Sequence, residues 1–184
     1  MSAPKLHPKV IWFTGLSGAG KTTLSLKLHD HLRRNDVPSV VLDGDEVRKT
    51  FSKDLGFSED DRRENVRRVA EHSKKILDSG GVVLIALISP FEADRLLAKE
   101  IIGSANFIEV FVDCQLAICE SRDVKGLYRK ARAGEIKNFT GISSPYEPPA
   151  SPDIVIHTDQ ADEVESMLRL IESVMPLLYT DRRG

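Results

Sequence analysis

Apolar and β-branched residues gather in five short runs, at 9–14, 39–43, 82–88, 107–112 and 153–158, and the segments between them carry helical periodicity. Parallel strands need a crossover and a helix supplies it, so this alternation predicts a parallel α/β sheet. The runs are nearly continuous, as in Val82-Val83-Leu84-Ile85-Ala86-Leu87-Ile88. Strands apolar on both faces are covered on both faces. The expected fold is therefore α/β, a doubly wound five-stranded parallel sheet flanked by helices near 21–35, 59–79, 91–103, 115–122, 126–134 and 161–179. Gly80-Gly81 ends the second helix. Residues 1–184 read as a single domain, with ends at 1–8 and 179–184 expected to be loose.

One long irregular segment, 135–152, contains Gly141, Pro145, Pro148, Pro149 and Pro152. Such loops often close over sites. The basic stretch before it, Lys125-Gly126-Leu127-Tyr128-Arg129-Lys130-Ala131-Arg132, reads either as part of a mobile lid over about 125–152 or as a solvated helix face.

A net charge of −2 and a pI near 6.2 argue against a nucleic acid backbone or an anionic membrane as the main partner. No run of about 18 apolar residues and no secretory leader is evident, so a cytoplasmic location is expected, with an organelle lumen after processing as the alternative. Cys114 and Cys119 lack partners at zinc-like spacing and read as reduced, structural thiols.

The most specific signal follows the first apolar run. Gly15-Leu16-Ser17-Gly18-Ala19-Gly20-Lys21-Thr22-Thr23 matches the P-loop pattern G-x-x-x-x-G-K-[ST], and Leu24, Leu28 and Leu32 continue at helical spacing. Strand, glycine loop and helix stand in the order a phosphate cradle needs. The backbone N–H groups and the helix N-terminus would hold phosphates, Lys21 would reach the β- and γ-phosphates, and Thr22 would ligate Mg²⁺.

A P-loop enzyme also needs an acid at a neighbouring strand end, but the third run ends in Ser89-Pro90. The second run leads instead into Asp43-Gly44-Asp45, at an edge where open α/β sheets bind ligands. One carboxylate can organise the metal shell while the other accepts a hydroxyl proton; the alternative is a solvated turn capping the next helix. This arrangement implies phosphoryl transfer to a small alcohol.

Helix 59–79 shows an apolar stripe through Val66, Val69, Ala70, Ser73, Ile76 and Leu77, which one turn back reaches Arg62 beside Asn65. A core-facing arginine at a cleft needs an anion, and a substrate phosphate or sulfate could supply it. Arg63, Arg67 and Arg68 are expected to pair with Glu59, Glu64 and Glu71. Arg48 is a second candidate for the anion, with a surface role as the alternative. Phe57 and Phe139, both in turn-like surroundings, could sandwich a nucleobase or simply pack.

Taken together, these residues make the chain resemble the adenylyl-sulfate kinase family, which phosphorylates adenosine 5′-phosphosulfate (APS) on its ribose 3′-hydroxyl using ATP. The resemblance covers residues 9 to about 160 and includes Leu55-Gly56-Phe57-Ser58, Asp61-Arg62, Glu64-Asn65, Ile88-Ser89-Pro90, Arg122-Asp123-Val124-Lys125-Gly126-Leu127-Tyr128 and Phe139-Thr140-Gly141. It implies ATP phosphates at Gly18, Ala19, Gly20, Lys21, Thr22 and Thr23, and the adenine near Ala161. It implies the acceptor at Asp45, Arg48, Phe57, Arg62, Asn65, Ile88, Ser89, Lys125 and Phe139, with Lys21, Asp43, Asp45 and Ser89 catalytic and Mg²⁺ at Thr22 and Asp45. In some bacterial members the serine equivalent to Ser89 is described as a phosphoserine intermediate; direct in-line transfer is preferred here because no activating base is evident.

The resemblance further implies a homodimer and a functional link to ATP sulfurylase. Two positions depart from the family pattern: Glu46 stands where asparagine is common, and Asn138 where glycine is common. The added charge of Glu46 would weaken acceptor binding unless Arg48 compensates. Other readings are a gluconate- or shikimate-type kinase, or a nucleotide-dependent regulatory module.

Overall fold

The computed structural model describes residues 5–179. Five strands, β1 (Val10–Thr14), β2 (Ser39–Asp43), β3 (Val82–Ala86), β4 (Phe107–Asp113) and β5 (Ile154–His157), form one sheet in the order β2-β3-β1-β4-β5. Every neighbouring pair is parallel. The helices are α1 (Lys21–Arg34), α2 (Gly44–Lys49), α3 (Glu59–Asp78), α4 (Glu92–Ile102), α5 (Leu116–Arg122), α6 (Leu127–Arg132) and α7 (Glu163–Tyr179).

Successive strand residues point to opposite faces, so each strand feeds two cores. Ile11, Phe13, Leu84, Ile108 and Val110 pack with Leu24, Leu28 and Leu32 of α1 and with Leu170, Val174 and Leu178 of α7. Val10, Trp12, Val83 and Ile85 pack with Val66, Val69, Ala70 and Leu77 of α3 and with Ala98 and Ile102 of α4. Each Val, Leu, Ile or Phe among them is worth roughly 1.5–3 kcal/mol on full burial. The doubly wound expectation is met for this physical reason.

Several expected bounds change. The third strand stops at Ala86 rather than Ile88, because Ser89 takes φ 40° and Pro90 has no N–H to give a ladder. Asp43-Gly44-Asp45 opens a short helix absent from the expected set, α2, with Asp43 as N-cap accepting from Asp45 N at 3.0 Å, so the capping part of the alternative reading is met. Six residues are too few for periodicity to reveal.

The chain ends are docked where they are described. His7 N donates to Leu178 O at 2.7 Å, and Leu6 and Tyr179 pack against the core. The expectation of looseness at 1–4 and 180–184 lies outside the described residues. Much of the irregular segment is docked too: Phe139 and Thr140 are buried, the Tyr146 ring stacks on Phe111 with centroids 6.1 Å apart, and Glu147 N donates to Pro90 O at 2.8 Å. Among the described residues no helix is long and apolar enough to cross a membrane.

Candidate active site

β1 is the central strand, and its C-terminal edge turns into the phosphate loop. Gly15 sits at φ 147°, and a Cβ there would lie 2.5 Å from Val112 O, so the loop can pass β4 this closely only as glycine. Three loop carbonyls are taken by donors from distant segments. Tyr128 Oη donates to Ser17 O at 2.8 Å, Arg122 Nη1 to Gly18 O at 3.1 Å, and Thr158 Oγ1 to Ala19 O at 2.7 Å. These bonds occupy carbonyls that would otherwise repel a phosphate. Lys21 is buried and donates to Gly15 O at 2.8 Å and Leu16 O at 2.7 Å. Burial pushes its ammonium pKa down to about 8, with Asp43 and Asp45 among the charges that oppose the shift.

At the end of β2 the two aspartates have different partners. Thr22 Oγ1 donates to Asp43 Oδ2 at 2.7 Å, whereas Asp45 is ion-paired with Lys125. Among the described residues no group of three or more His, Cys, Asp or Glu could cage a metal ion. A hydroxyl and a carboxylate are nevertheless the hard oxygen donors that suit Mg²⁺, which draws most of its ligands from phosphates and water.

The arginines come from α2 and α3, on the side of the sheet formed by the edge strand β2 and its neighbour β3. Arg62 is buried, and its guanidinium donates to Phe57 O at 3.1 Å, Thr140 Oγ1 at 2.6 Å and Asn138 O. Neutral acceptors orient it without cancelling its charge. Burial, and then the like charge of Arg48, lower the Arg62 pKa, which is the imbalance a bound anion would relieve. Arg48 Nη1 donates to Gly56 O at 2.7 Å, and its guanidinium carbon lies 4.3 Å from the Phe57 ring centroid. One face of Phe57 is therefore occupied by a cation, while Phe139 is buried edge-on against Tyr128, centroids 5.0 Å apart. Asn65 is buried beside them, and its Oδ1 has no hydrogen-bond partner.

Ser89 is buried, and its Oγ accepts from Trp12 Nε1 at 3.0 Å. Among the described residues no carboxylate or imidazole is bonded to it, so nothing in these contacts activates it as a nucleophile. The neighbouring arginines fare partly as expected. Arg67 pairs with Glu64 and Glu71, and Arg68 with Glu64 and Asp54. Arg63 pairs with buried Asp94 on α4 at 3.1 Å rather than with Glu59. Cys119 and Cys114 are free and buried, and burial pushes the Cys119 thiol up to about 12, as suits a structural thiol.

A cavity of about 1080 Å³ spans the C-terminal edge of the sheet, and every site residue expected from the sequence lines it, from Gly18 in the phosphate loop to Phe139 and Ala161. Arg122, Tyr128, Thr140 and Thr158 also line it, although sequence reasoning assigned them no role. Arg122, Tyr128 and Thr140 lie inside motifs of the family resemblance, and Thr158 ends the last apolar run; their partners on the phosphate loop or on Arg62 are too distant in sequence for spacing to reveal.

A family model described as adenylylsulphate kinase matches residues 7–157. The chain belongs to that family. The adenylyl-sulfate kinase of Geotalea daltonii is 56% identical over 152 residues, covering 83% of this chain and 75% of the relative. That of Shewanella amazonensis is 55% identical over 163 residues, covering 89% and 82%. The solved structure of the Mycobacterium tuberculosis APS kinase in complex with AMPPNP and APS matches with a TM-score of 0.86 at 42% identity, covering 96% of this chain and all (100%) of that one.

Within this adenylyl-sulfate kinase fold, both departures from the family pattern are accommodated. Glu46 is paired with Lys49 at 2.7 Å, so Lys49 rather than Arg48 compensates its charge. Asn138 adopts φ 56°, a conformation asparagine tolerates better than other non-glycine residues.

Proposed function

We propose that this chain transfers the γ-phosphoryl group of ATP to the ribose 3′-hydroxyl of APS, giving 3′-phosphoadenosine 5′-phosphosulfate and ADP. The carrying observation is that one cavity holds both a phosphate loop and two guanidiniums whose hydrogen bonds go to neutral acceptors. The loop takes the donor. Arg48, Arg62 and Asn65 receive the charged acceptor, with Phe57 and Phe139 beside its base and Ile88-Ser89 supporting it. Ala161 lies on the donor's adenine side.

Phosphoryl transfer asks the protein mainly for alignment and charge stabilisation. Lys21 neutralises the β- and γ-phosphates, and Lys125 meets the group in transfer. Asp45 orients the 3′-hydroxyl and receives its proton as the bond to phosphorus forms. Thr22 would hold Mg²⁺ directly, and Asp43, bonded to Thr22, would support that shell in place of the expected Asp45, whose carboxylate is paired with Lys125. Bound there, the ion would offset the charge that develops on the β- and γ-oxygens. Ser89 acts by position, and transfer is direct.

ADP formation measured with and without APS, with the nucleotide product identified, tests the reading. Acceptor-dependent ADP release with a 3′-phosphorylated product is expected. Equal ADP release without APS, or release stimulated by gluconate or shikimate instead, would overturn it. A homodimer, a functional link to ATP sulfurylase and a cytoplasmic location belong to the same reading. Light scattering of the purified chain tests the first.

A further inference from the structure

Resting on that reading of the reaction, we propose that Arg95 is a positioning residue for the acceptor, holding the Ile88-Ser89-Pro90 shelf in register with the irregular segment at Tyr146-Glu147. Arg95 lies on α4, is 2% exposed, and is not among the residues lining the cavity. Its guanidinium reaches three separate parts of the chain. Nε donates to Glu109 Oε1 at 2.9 Å, Nη1 to Ser89 O at 2.7 Å, and Nη2 to Glu147 O at 2.8 Å.

The Glu109 carboxylate balances the buried charge, but so deep an ion pair adds little net stability. Its consequence is geometric: a rigid planar fork ties two loop carbonyls together. Other bonds close the same frame. Glu147 N donates to Pro90 O at 2.8 Å, and Glu147 Oε2 accepts from Glu92 N at 2.8 Å. Thr14 Oγ1 donates to Ile88 O at 2.7 Å, which leaves Tyr146 Oη to donate to Thr14 Oγ1 at 3.0 Å. The Tyr146 ring lies 5.9 Å from the Arg95 guanidinium carbon.

Ser89 needs this frame. Its φ of 40° is disfavoured for a residue with a Cβ and persists only where the surroundings over-determine it. Relaxation of Ser89 would move Ile88 and Ser89 in the cavity wall, and with them the acceptor. The phosphate loop has no bond to Arg95, so the effect falls on the acceptor and not on the donor.

Arg95→Lys separates this role from simple stability, because an ammonium can still face Glu109 but cannot reproduce the fork. With APS as acceptor, kcat is expected to fall on the order of 10- to 100-fold, the scale set by misplacing a reacting group by about 1 Å. AMPPNP affinity should stay within about twofold by calorimetry, as expected for separate sites. Tyr146→Phe, which keeps the ring and removes one bond to the frame, should show the same split with a smaller loss, and it carries the test if Arg95→Lys does not fold. Unchanged turnover in the folded variants, or AMPPNP affinity falling in parallel with turnover, would overturn the proposal. Wild-type ADP release that ignores APS would refute the reaction itself; acceptor-dependent wild-type turnover with unaffected variants would refute only the role of Arg95.

Discussion

Thr22 Oγ1 donates to Asp43 Oδ2 at 2.7 Å, and the other oxygen of that carboxylate accepts from Asp45 N at 3.0 Å. A single side chain thus aligns the P-loop hydroxyl and starts the helix that carries Asp45. Asp43→Asn keeps an amide oxygen for the cap but loses the charge. Its melting temperature is expected to stay close to wild type, since an asparagine cap is as good as an aspartate cap. Its kcat should fall roughly 10²- to 10³-fold, the scale for losing one electrostatic contact in a transition state. Thermal melts and ADP release on the same preparation check both halves.

Asp45 and Lys125 form an ion pair with both side chains more than half exposed, at 58% and 54%. Exposed pairs are worth about 1 kcal/mol or less. Asp45→Asn should therefore leave denaturation midpoints nearly unchanged while lowering kcat on the order of 10²- to 10⁴-fold, the range for a general base. Full activity in Asp45→Asn would remove its assigned role.

Burial pushes the Lys21 pKa down from 10.5 to about 8. Below about 8 Lys21 is charged in the folded and unfolded chain alike, and the folded state carries the whole desolvation cost. Between about 8 and 10.5 the unfolded chain binds a proton that the folded chain does not, so stability rises with pH, and above that window the cost is gone. Lys21→Met should accordingly be the more stable protein at neutral pH, with its lead narrowing above pH ~8 in urea titrations. Nucleotide phosphates favour the charged lysine, so AMPPNP binding above that pH should take up a proton, visible as a buffer-dependent heat in calorimetry and absent in Lys21→Met.

Arg62 is held by Phe57 O, Asn138 O and Thr140 Oγ1. Arg62→Ala strips these acceptors of their donor and is expected to lower stability by about 1–3 kcal/mol. It should also raise the KM for APS by more than about tenfold, the scale of losing one charge-assisted bond. AMPPNP binding should be little changed. A regulatory nucleotide module has no need of a second anion site, so unaltered function in this variant would favour that alternative.

Local features were the legible ones. The phosphate loop is contiguous, and its glycines, lysine and threonine have meaning at fixed spacing, so Gly18–Thr23 could be assigned without a partner in view. The apolar runs could be read as buried strands for a similar reason, since burial on both faces leaves no polar alternation. Ser89 is expected at the site from the resemblance and lies in the cavity wall, but its positive φ was not legible, because serine carries no general preference for it.

The amino-acid sequence by itself determined the alternation of strand and helix, the donor cradle, and the resemblance that names an anionic acceptor. Only the tertiary structure decided that Thr22 meets Asp43 while Asp45 meets Lys125, that Lys49 offsets Glu46, that Phe57 is faced by Arg48, and that Arg95 ties Ser89 to Glu147, which lies 52 residues beyond Arg95 itself. The physical reason is the reach of each kind of information. Periodicity and motif spacing act over a few turns of backbone, whereas the partner of a charged side chain depends on which elements are packed against it and on how deeply that packing removes it from water.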